Sequence, residues 1–240
     1  MDNLKSLRSL GQTGIMVTPI GLGCWQFSKQ KNMAGKFWPI LEDSLIERIV
    51  SLSIDGGINW FDTAEIYGGG ESEKALSIAL KAAGKKPGEV LVATKWWPVF
   101  RFASNIRKTI YNRIRLLDPY PIDLYQVHQP WSFSVENSEM AVMAELIRNI
   151  GFRRYSSQFK PEGLEKSRPV VILLKELASK HNVTPSQVAL NWLIQYNGDT
   201  VVAIPGATKE IHVKENCGAM LFRLSDEDMA RLDDVSSIFK

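Results

Sequence analysis

The sequence predicts an α/β protein in which helices cover a parallel sheet, and a β/α barrel explains its pattern best. Apolar strands alternate with amphipathic helices along most of the chain. Three successive strands end in polar residues, Asp62, Lys95 and His128, which are 33 positions apart. A barrel repeats with such a constant length and has its active site at the carboxyl ends of its strands. A doubly wound sheet is the alternative, but the glycine-rich fingerprint that it carries after the first strand is absent.

The opening segment, residues 7–22, predicts two short extended pieces around a turn. Gly11, Thr13 and Gly14 favour the turn, and apolar residues such as Val17 follow it. Beyond this segment, the helical spacing of apolar residues and the glycines or prolines that interrupt it predict further elements. In chain order these are a helix over 41–53, a strand over 58–61, a helix over 72–83, a strand over 90–93, a helix over 104–117, a strand over 124–127 and a helix over 136–148.

The second half contains a clear helix start at residues 184–187. Pro185 occupies the first helical position, and Thr184 and Gln187 have the spacing of a capping box. The buried face of this helix is predicted to carry Ala189, Trp192, Leu193 and Tyr196. A strand over 201–204 and a short helix after Pro205-Gly206 complete the chain. Because no linker-like segment divides the sequence, we expect a single domain over residues 1–240.

The composition is that of a globular protein without a strong charge bias. The 240 residues include 29 Lys and Arg against 26 Asp and Glu, so nothing requires a nucleic-acid or membrane partner. The chain shows no signal peptide or apolar run long enough for a membrane span, and Cys24 and Cys217 show no metal-ligand spacing. We therefore expect a cytoplasmic protein, monomeric or weakly oligomeric, with reduced, buried thiols. The basic residues of 101–115 predict a solvated helix face.

Four titratable residues are expected to meet at one end of the predicted sheet: Asp62, Tyr67, Lys95 and His128. A tyrosine with a pKa of about 10 is a poor acid–base catalyst at neutral pH, and a neighbouring ammonium lowers that pKa. An aspartate beside the lysine keeps the ammonium charged and oriented, and a histidine can donate a hydrogen bond to a substrate oxygen. Each residue alone is commonly structural. Their position at the ends of three successive units indicates a functional site.

Five segments carry a specific combination of motifs. They are LGQTGIMVTPIGL (10–22), NWFDTAEIYGGGESE (59–73), ATK (93–95), DLYQVHQP (123–130) and IPGATKEIHVKEN (204–216). Together they resemble the aldo-keto reductase family of NAD(P)H-dependent (β/α)8 barrels. The resemblance implies that the opening hairpin plugs the N-terminal end of the barrel. It also implies a reductase of aldehydes and ketones in which Tyr67 is the general acid, Lys95 lowers its pKa, Asp62 supports Lys95 and His128 orients the carbonyl.

The segment after the last predicted strand suggests a phosphate site. A strand that ends in Pro205-Gly206 and leads into a helix offers backbone N–H groups to an anion. The resemblance implies that the adenosine half of NADP(H) binds here, with NADPH expected over NADH, and with Lys209 or His212 toward a 2′-phosphate. The expected cofactor-binding residues are Gly23, Trp25, Ile204, Pro205, Gly206, Ala207, Thr208, Lys209, His212, Glu215 and Asn216.

Tryptophans follow several of the predicted strands. Trp25, Trp96 and Trp131 are expected to line the substrate site, which favours bulky apolar or aromatic carbonyl compounds. For Trp97, simple core filling is an equal alternative. No set of metal ligands is recognised, and the identity of the physiological substrate does not follow from these residues.

The chain is shorter than a full barrel. From His128 to Pro205 is 77 positions, whereas four units of 33 need about 132, so nearly two units are missing. The resemblance locates the break at Ile150-Gly151-Phe152 and removes the residues that bind the nicotinamide amide. A barrel without its sixth and seventh strands exposes two apolar edges. Segments omitted from the sequence, a deletion, and completion by another chain are the three explanations, of which the first is favoured.

Two other functions compete with carbonyl reduction. A non-catalytic NADP(H)-binding module or redox sensor is favoured by the shortened chain and opposed by the four intact residues. A Schiff-base lyase that uses Lys95 as its nucleophile is the other, and the neighbouring Asp62 and Tyr67 argue against it.

Overall fold

The chain opens with an antiparallel hairpin, formed by β1 (Arg8–Ser9) and β2 (Met16–Val17). This confirms the predicted extended pair. The residue that precedes β4, Asn59, bonds Thr18 N through Oδ1 (2.8 Å) and Met16 O through Nδ2 (2.9 Å), which places the hairpin at the amino end of the sheet. Arg8, 4% exposed, donates from its guanidinium to the carbonyl oxygens of Ile194 (2.6 Å) and Val201. The hairpin is thereby tied to the C-terminal half of the chain.

The computed structural model describes residues 4, 6–32, 36–102, 104–129 and 161–239, and for residues 104, 161–164 and 238 it describes the backbone alone. In this part of the chain a parallel sheet has its four strands in sequence order. The strands are β3 (Leu22–Gly23), β4 (Trp60–Asp62), β5 (Leu91–Trp96) and β6 (Leu124–Val127). Gly23 pairs with Asp62, and Asp62 pairs with Ala93, so the carboxyl ends of these strands lie side by side.

Seven helices accompany the sheet within the described residues. They are α1 (Asp43–Asp55), α2 (Glu71–Ala82), α3 (Ser104–Leu117), α4 (Pro161–His181), α5 (Pro185–Tyr196), α6 (Glu210–Gly218) and α7 (Asp226–Ser236). A 3₁₀ turn (Trp25–Ser28) follows β3. The predicted helix over 136–148 lies outside the described residues. Of the helices that are described, none is long and apolar enough to cross a membrane.

Two apolar clusters stabilise this arrangement. The larger joins the sheet to α1 and α2 through residues such as Phe61, Ile49 and Leu76, all fully buried. The smaller joins α4, α5 and α7, with Leu177 and Val188 at its centre. A fully buried side chain of this size contributes roughly 1.5–3 kcal/mol, so the clusters stabilise the sheet and the helices packed on it.

The predicted strand over 201–204 is wrong as an extended element. The structure has isolated parallel bridges instead, between Ile20 and Ala203 and between Gly23 and Gly206. Pro205 has no N–H group to donate to a continuous ladder. Its carbonyl oxygen still accepts from Gly23 N at 3.1 Å, so this bridging segment runs beside β3.

The start of α5 is as predicted, but its buried face is not. Thr184 and Gln187 form the capping box. The buried residues are Val188, Asn191 and Ile194, whereas Leu193 and Tyr196, predicted inside, are exposed. Asn191 is buried because its amide donates to the carbonyl oxygens of Ala219 (2.8 Å) and Phe222 (2.7 Å), a use of a polar residue that apolar periodicity does not reveal.

Candidate active site

The parallel register brings the predicted catalytic side chains to one edge of the sheet. Asp62 ends β4, Lys95 is the penultimate residue of β5, and His128 directly follows β6. His128 N donates to Trp96 O at 3.0 Å, which fixes the backbone after β6 against β5. Tyr67 lies in the loop between β4 and α2. Asp62, Tyr67, Lys95 and His128 are therefore neighbours, as the sequence predicted.

Lys95 and Asp62 form a buried ion pair. Lys95 Nζ lies 2.5 Å from Asp62 Oδ2 and 2.8 Å from the carbonyl oxygen of Thr63, and the two residues are 9% and 2% exposed. Burial raises the pKa of the Asp62 carboxyl, while the charge and hydrogen bond of Lys95 act in the opposite direction. The pair fixes the position of the ammonium.

The Tyr67 ring lies between Lys95, Trp25 and His128. Lys95 Nζ is 5.2 Å from the ring centroid, and Trp25 stacks on the ring at 5.7 Å with an interplanar angle of 19°. The effect of Lys95 on the pKa of Tyr67 stays a prediction, because the net pKa of the phenol lies above its ordinary value in this structure. Burial raises the pKa of the phenol, and the negative charge of Asp62 adds to the increase. Burial is the largest cause, so Tyr67 stays protonated at neutral pH.

His128 faces the other edge of Tyr67. The two rings meet edge to face at 5.3 Å and 84°, and Trp97 contacts the far side of the imidazole at 5.5 Å. Burial, followed by the charge of Lys95, lowers the pKa of His128 to about 3, so the imidazole is neutral. Its Nδ1 is buried and has no hydrogen-bond partner among the described residues. A neutral imidazole can donate one hydrogen bond to a substrate oxygen.

The predicted tryptophans occupy different surroundings. Trp25 contacts Phe37 (5.7 Å), Trp38 (5.6 Å) and Tyr67, and so lines the site. The expected position of Trp96 at the rim is wrong: the residue is 2% exposed. Successive strand residues point to opposite faces, so Trp96 points away from the Lys95 side and reaches Asn105 Oδ1 of α3 at 3.4 Å. Trp131 lies outside the described residues.

A cavity of about 420 Å³ adjoins Tyr67 and Asp62. The predicted cofactor-binding residues that line it are Gly23, Trp25, Ile204, Pro205, Gly206, Thr208 and His212. Ala207 and Asn216 are instead buried in the protein, Ala207 in the larger apolar cluster and Asn216 with Nδ2 3.5 Å from Gly206 O. Lys209, the exposed N-cap residue of α6, and Glu215 are also not lining residues.

A family model described as the aldo/keto reductase family matches residues 19–158 and 147–237. The chain belongs to the aldo/keto reductase family. An uncharacterised oxidoreductase of Mycobacterium tuberculosis is 28% identical over 93% of this chain and 91% of the relative.

Solved aldo/keto reductase structures share the fold. The glycerol dehydrogenase from Gluconobacter oxydans superposes with a TM-score of 0.74 at 20% identity, over 98% of this chain and 96% of that one. An aldo-keto reductase from Klebsiella pneumoniae in complex with NADPH gives 0.66 at 19% identity, over 98% and 95%. These likenesses confirm the predicted β/α barrel class.

This aldo/keto reductase is shortened internally. The alignment with the mycobacterial relative spans 302 residues, whereas 93% of this 240-residue chain is about 223 residues. About 79 aligned positions therefore have no counterpart here. The two stretches matched by the family model meet at 147–158, which includes the predicted break at Ile150-Gly151-Phe152. The given sequence is thus shorter than this relative within the aligned region.

Three lining residues of the cavity were not predicted: Cys24, Gln26 and Trp38. Cys24 and Gln26 flank Trp25 directly after β3, so the rule that active-site residues follow strand ends could have found them. Trp38 comes from the loop before α1, and no sequence pattern marks it. Trp38 Nε1 and Gln26 Oε1 are buried and have no hydrogen-bond partners among the described residues.

A buried charge network lies beside the Tyr67 loop. Arg113 of α3 is 4% exposed and lies 2.9 Å from Glu73 of α2 and 3.6 Å from Glu65 of the Tyr67 loop. Glu65 also pairs with Arg101 at 2.8 Å and accepts from Trp97 N at 3.0 Å. The predicted solvated face over 101–115 is therefore wrong for Arg113, which is buried because two carboxylates compensate its charge.

Metal binding is not supported in the described part of the chain. No group of three or more His, Cys, Asp or Glu side chains there has an arrangement that could hold a metal ion. The described site therefore consists of acid–base and hydrogen-bonding side chains beside an aromatic wall.

Proposed function

We propose that this oxidoreductase reduces aldehydes or ketones to alcohols with NADPH, and that Tyr67 is the general acid. The observation that carries the proposal is the buried Lys95–Asp62 pair beside the rings of Tyr67 and His128. These side chains place a proton donor (Tyr67), a hydrogen-bond donor (His128) and a fixed positive charge (Lys95) at one edge of the sheet. Such groups stabilise the negative charge that develops on a carbonyl oxygen during reduction.

The side chains have distinct tasks in the proposed reaction. NADPH, when bound, supplies the hydride to the carbonyl carbon. The N–H of neutral His128 donates a hydrogen bond to the carbonyl oxygen and orients it, and Tyr67 Oη transfers its proton to that oxygen. Lys95 stabilises the phenolate that remains, and Asp62 holds Lys95 in position. A proton from solvent then restores Tyr67, so one proton and one hydride enter the alcohol.

The cavity is chemically suited to an anionic dinucleotide. Asp62 is the carboxylate among its lining residues, and Lys95 neutralises it. The N-terminus of α6, near Thr208 and His212, has no side-chain cap, so backbone N–H groups remain for a phosphate. The His212 side chain lines the cavity and is the proposed contact of the 2′-phosphate, which NADPH has and NADH lacks. It therefore favours NADPH over NADH. The neighbour from Klebsiella pneumoniae that was crystallised with NADPH supports the same choice.

The aromatic wall favours apolar or aromatic carbonyl substrates. Phe37 and Trp38 both contact Trp25, and Trp25 stacks on Tyr67. Trp97, on His128, extends aromatic surface around the catalytic edge. Flat rings bind such substrates through apolar contact and stacking.

The test is turnover with NADPH and a reactive aromatic aldehyde, followed as the loss of NADPH absorbance. Wild-type protein should consume NADPH and form the alcohol in equal amounts. The Tyr67→Phe variant should lose on the order of 10²- to 10⁴-fold in kcat while it binds NADPH with unchanged affinity. Absence of turnover in folded, NADPH-binding protein would reject the reductase proposal.

A non-catalytic NADP(H)-binding module is the second candidate. The shortened chain favours this candidate, because about 79 aligned positions of the mycobacterial relative have no counterpart here. It predicts NADPH binding with negligible turnover, so the assay above separates the two candidates.

We also propose a cytoplasmic location. Neither Cys24 nor Cys217 forms a disulfide, and both are buried, which suits a reducing compartment. Fractionation of the source cells followed by immunoblotting tests this, and recovery outside the cytoplasmic fraction would contradict it.

A further inference from the structure

The carboxylate of Glu65 joins two loops at the carboxyl end of the sheet. Glu65 lies in the loop between β4 and α2, two residues before Tyr67, and its side chain is 13% exposed. Its Oε2 accepts a hydrogen bond from Trp97 N at 3.0 Å, and its Oε1 accepts one from Arg101 Nη1 at 2.8 Å. Trp97 and Arg101 both belong to the loop between β5 and α3. Glu65 therefore holds this second loop against the loop that carries Tyr67.

The backbone around Glu65 is fixed as well. Glu65 N donates to the carbonyl oxygen of Lys95 at 3.0 Å, which attaches the Tyr67 loop to the end of β5. Tyr67 N donates to Ala64 O at 3.1 Å, so a single hydrogen-bonded turn connects Glu65 to Tyr67. A shift of Glu65 would therefore move Tyr67 with it.

The second loop reaches the other proposed donor. The Trp97 ring packs edge to face on His128 at 5.5 Å, and His128 meets Tyr67 in the same way at 5.3 Å. The contacts thus return to their starting point, from Glu65 to Trp97, to His128, to Tyr67 and back along the chain to Glu65. In this closed series, the Glu65 carboxylate is the link that joins the two loops opposite the contact between His128 and Tyr67.

The surroundings of Glu65 point to a role in positioning and not in binding a ligand. Glu65 is not one of the residues that line the described cavity. Its charge is compensated within the protein by Arg101 and, at 3.6 Å, by Arg113. Hydrogen bonds to a carboxylate are shorter and stronger than those between neutral groups, so the bridge resists displacement. Such resistance matters because a misplacement of about 1 Å can lower a reaction rate on the order of 10²-fold.

We propose that Glu65 is a positioning residue for carbonyl reduction. By bridging Trp97 N and Arg101, it sets the separation of Tyr67 and His128 so that both reach the same substrate oxygen. The proposal rests on the proposed function, because it assigns both side chains to one carbonyl oxygen. Loss of the bridge should therefore slow the chemical step and leave the binding of NADPH unchanged.

The first test compares Glu65→Met with Glu65→Gln. Methionine removes both carboxylate oxygens, whereas glutamine keeps one oxygen that can accept from Trp97 N. Turnover is expressed per NADPH-binding site, so unfolded protein does not contribute. We expect kcat to fall roughly 10- to 100-fold in Glu65→Met and about two- to fourfold in Glu65→Gln, with the Kd for NADPH within about twofold of wild type in both. Equal losses in the two variants would show that the charge and not the bridge matters, and would overturn the proposal, as would an unchanged kcat in Glu65→Met.

Glu89→Met is the matched control. Glu89 Oε2 also accepts from a backbone N–H, that of Lys86 at 2.7 Å, but it does so in the loop before β5, at the opposite end of the sheet. This substitution removes the same kind of bond away from the site, so kcat should stay within about twofold of wild type. A loss as large as that of Glu65→Met would show that the effect does not depend on the position of the bridge, and would contradict the proposal.

NMR of the imidazole nitrogens tests the bridge without turnover. The chain has three histidines, so the ¹⁵N signals of His128 are identified by their loss in His128→Phe. Without ligand, Glu65→Met should shift or broaden these signals, and Glu65→Gln should change them much less. Arg101→Met removes one arm of the bridge from a side chain that is 35% exposed. It should also shift the signals, and it keeps the proposal testable if Glu65→Met does not fold.

The outcomes of the two kinds of experiment are distinguishable. His128 signals that stay in place in both Glu65→Met and Arg101→Met would overturn the proposed bridge. Failure of folded, NADPH-binding wild-type protein to turn over would instead reject the proposed function, and it would not alter the NMR result.

Discussion

Arg113 lies between two carboxylates, 2.9 Å from Glu73 and 3.6 Å from Glu65. Glu73 belongs to α2, and Glu65 to the loop that carries Tyr67. Thr94, the neighbour of Lys95, also donates to Glu73 at 2.6 Å. The guanidinium of Arg113 therefore links the loop that carries Tyr67 to the strand that carries Lys95. The position of the proposed proton donor thus depends on the charge of a side chain that does not line the cavity.

Removal of this guanidinium should destabilise the protein strongly. At pH 8, above the pKa of about 7 that Glu73 has in the folded protein, Arg113→Met leaves two ionised carboxylates near each other in a buried site, so we expect a loss of about 3–5 kcal/mol in the free energy of unfolding, measured in urea. Arg231→Met is the control. Arg231 pairs with Glu176 at 2.8 Å on the surface, and its loss should cost less than about 1 kcal/mol. Equal effects of the two substitutions would contradict the role of Arg113.

The stability of the protein should fall as the pH rises toward neutrality because of Glu73. Burial raises the pKa of Glu73 from 4.5 to about 7, against the lowering effects of Arg113 and Thr94. The folded state thus holds a proton that the unfolded chain releases near pH 4.5. The contribution of this proton is complete below that pH and is lost as the pH rises through about 7. It amounts to on the order of 3 kcal/mol.

Glu73→Gln isolates this effect. Between pH 5 and pH 8 (about one unit beyond the folded pKa), the free energy of unfolding of the variant should fall by on the order of 3 kcal/mol less than that of wild type. Urea unfolding at several pH values measures the difference, and other titrating groups cancel between the two proteins. Parallel curves would show that Glu73 is ionised throughout this range.

Asp62→Asn should impair both stability and turnover. The substitution leaves the ammonium of Lys95 buried without a countercharge, and we expect a loss of about 3–5 kcal/mol in the free energy of unfolding. The double variant Asp62→Asn/Lys95→Met should recover most of the stability but none of the activity. Recovery of activity in the double variant would exclude Lys95 from the proposed mechanism.

His128 should act as a neutral group at every physiological pH. Because burial and Lys95 lower its pKa to about 3, no ionisation of His128 should appear in kcat between pH 5 and pH 8. His128→Phe removes the hydrogen-bond donor and should lower kcat on the order of 10²-fold. His128→Gln, which retains an N–H donor, should lose less. An inflection in kcat near pH 6.5 that disappears in both variants would contradict a neutral imidazole.

Much of the fold could be predicted from the sequence because its signals are local. The spacing of apolar residues placed α3 and β6 at their observed bounds, and the hydroxyl and amide of Thr184 and Gln187 placed the start of α5. The constant spacing of Asp62, Lys95 and His128 predicted that these side chains meet. The strands pair Asp62 with Ala93 and Lys95 with Gln126, so Lys95 and His128 each lie two residues beyond the direct partner and point to the same face.

The remaining features depend on contacts between distant residues. Asn191 is buried because distant carbonyl oxygens accept hydrogen bonds from its amide, and Arg113 is buried because distant carboxylates compensate its charge. No local sequence pattern reveals those partners. The raised pKa of Tyr67 also could not be predicted, because it is caused chiefly by burial, which depends on residues from several elements.

The contacts of Arg8 have a consequence for biosynthesis. Its guanidinium bonds carbonyl groups of Ile194 and Val201, which are 186 and 193 positions away. A nascent chain emerging from the ribosome cannot make these bonds until the segment with Ile194 and Val201 has been translated, so the amino-terminal hairpin should acquire its final anchorage long after its own synthesis.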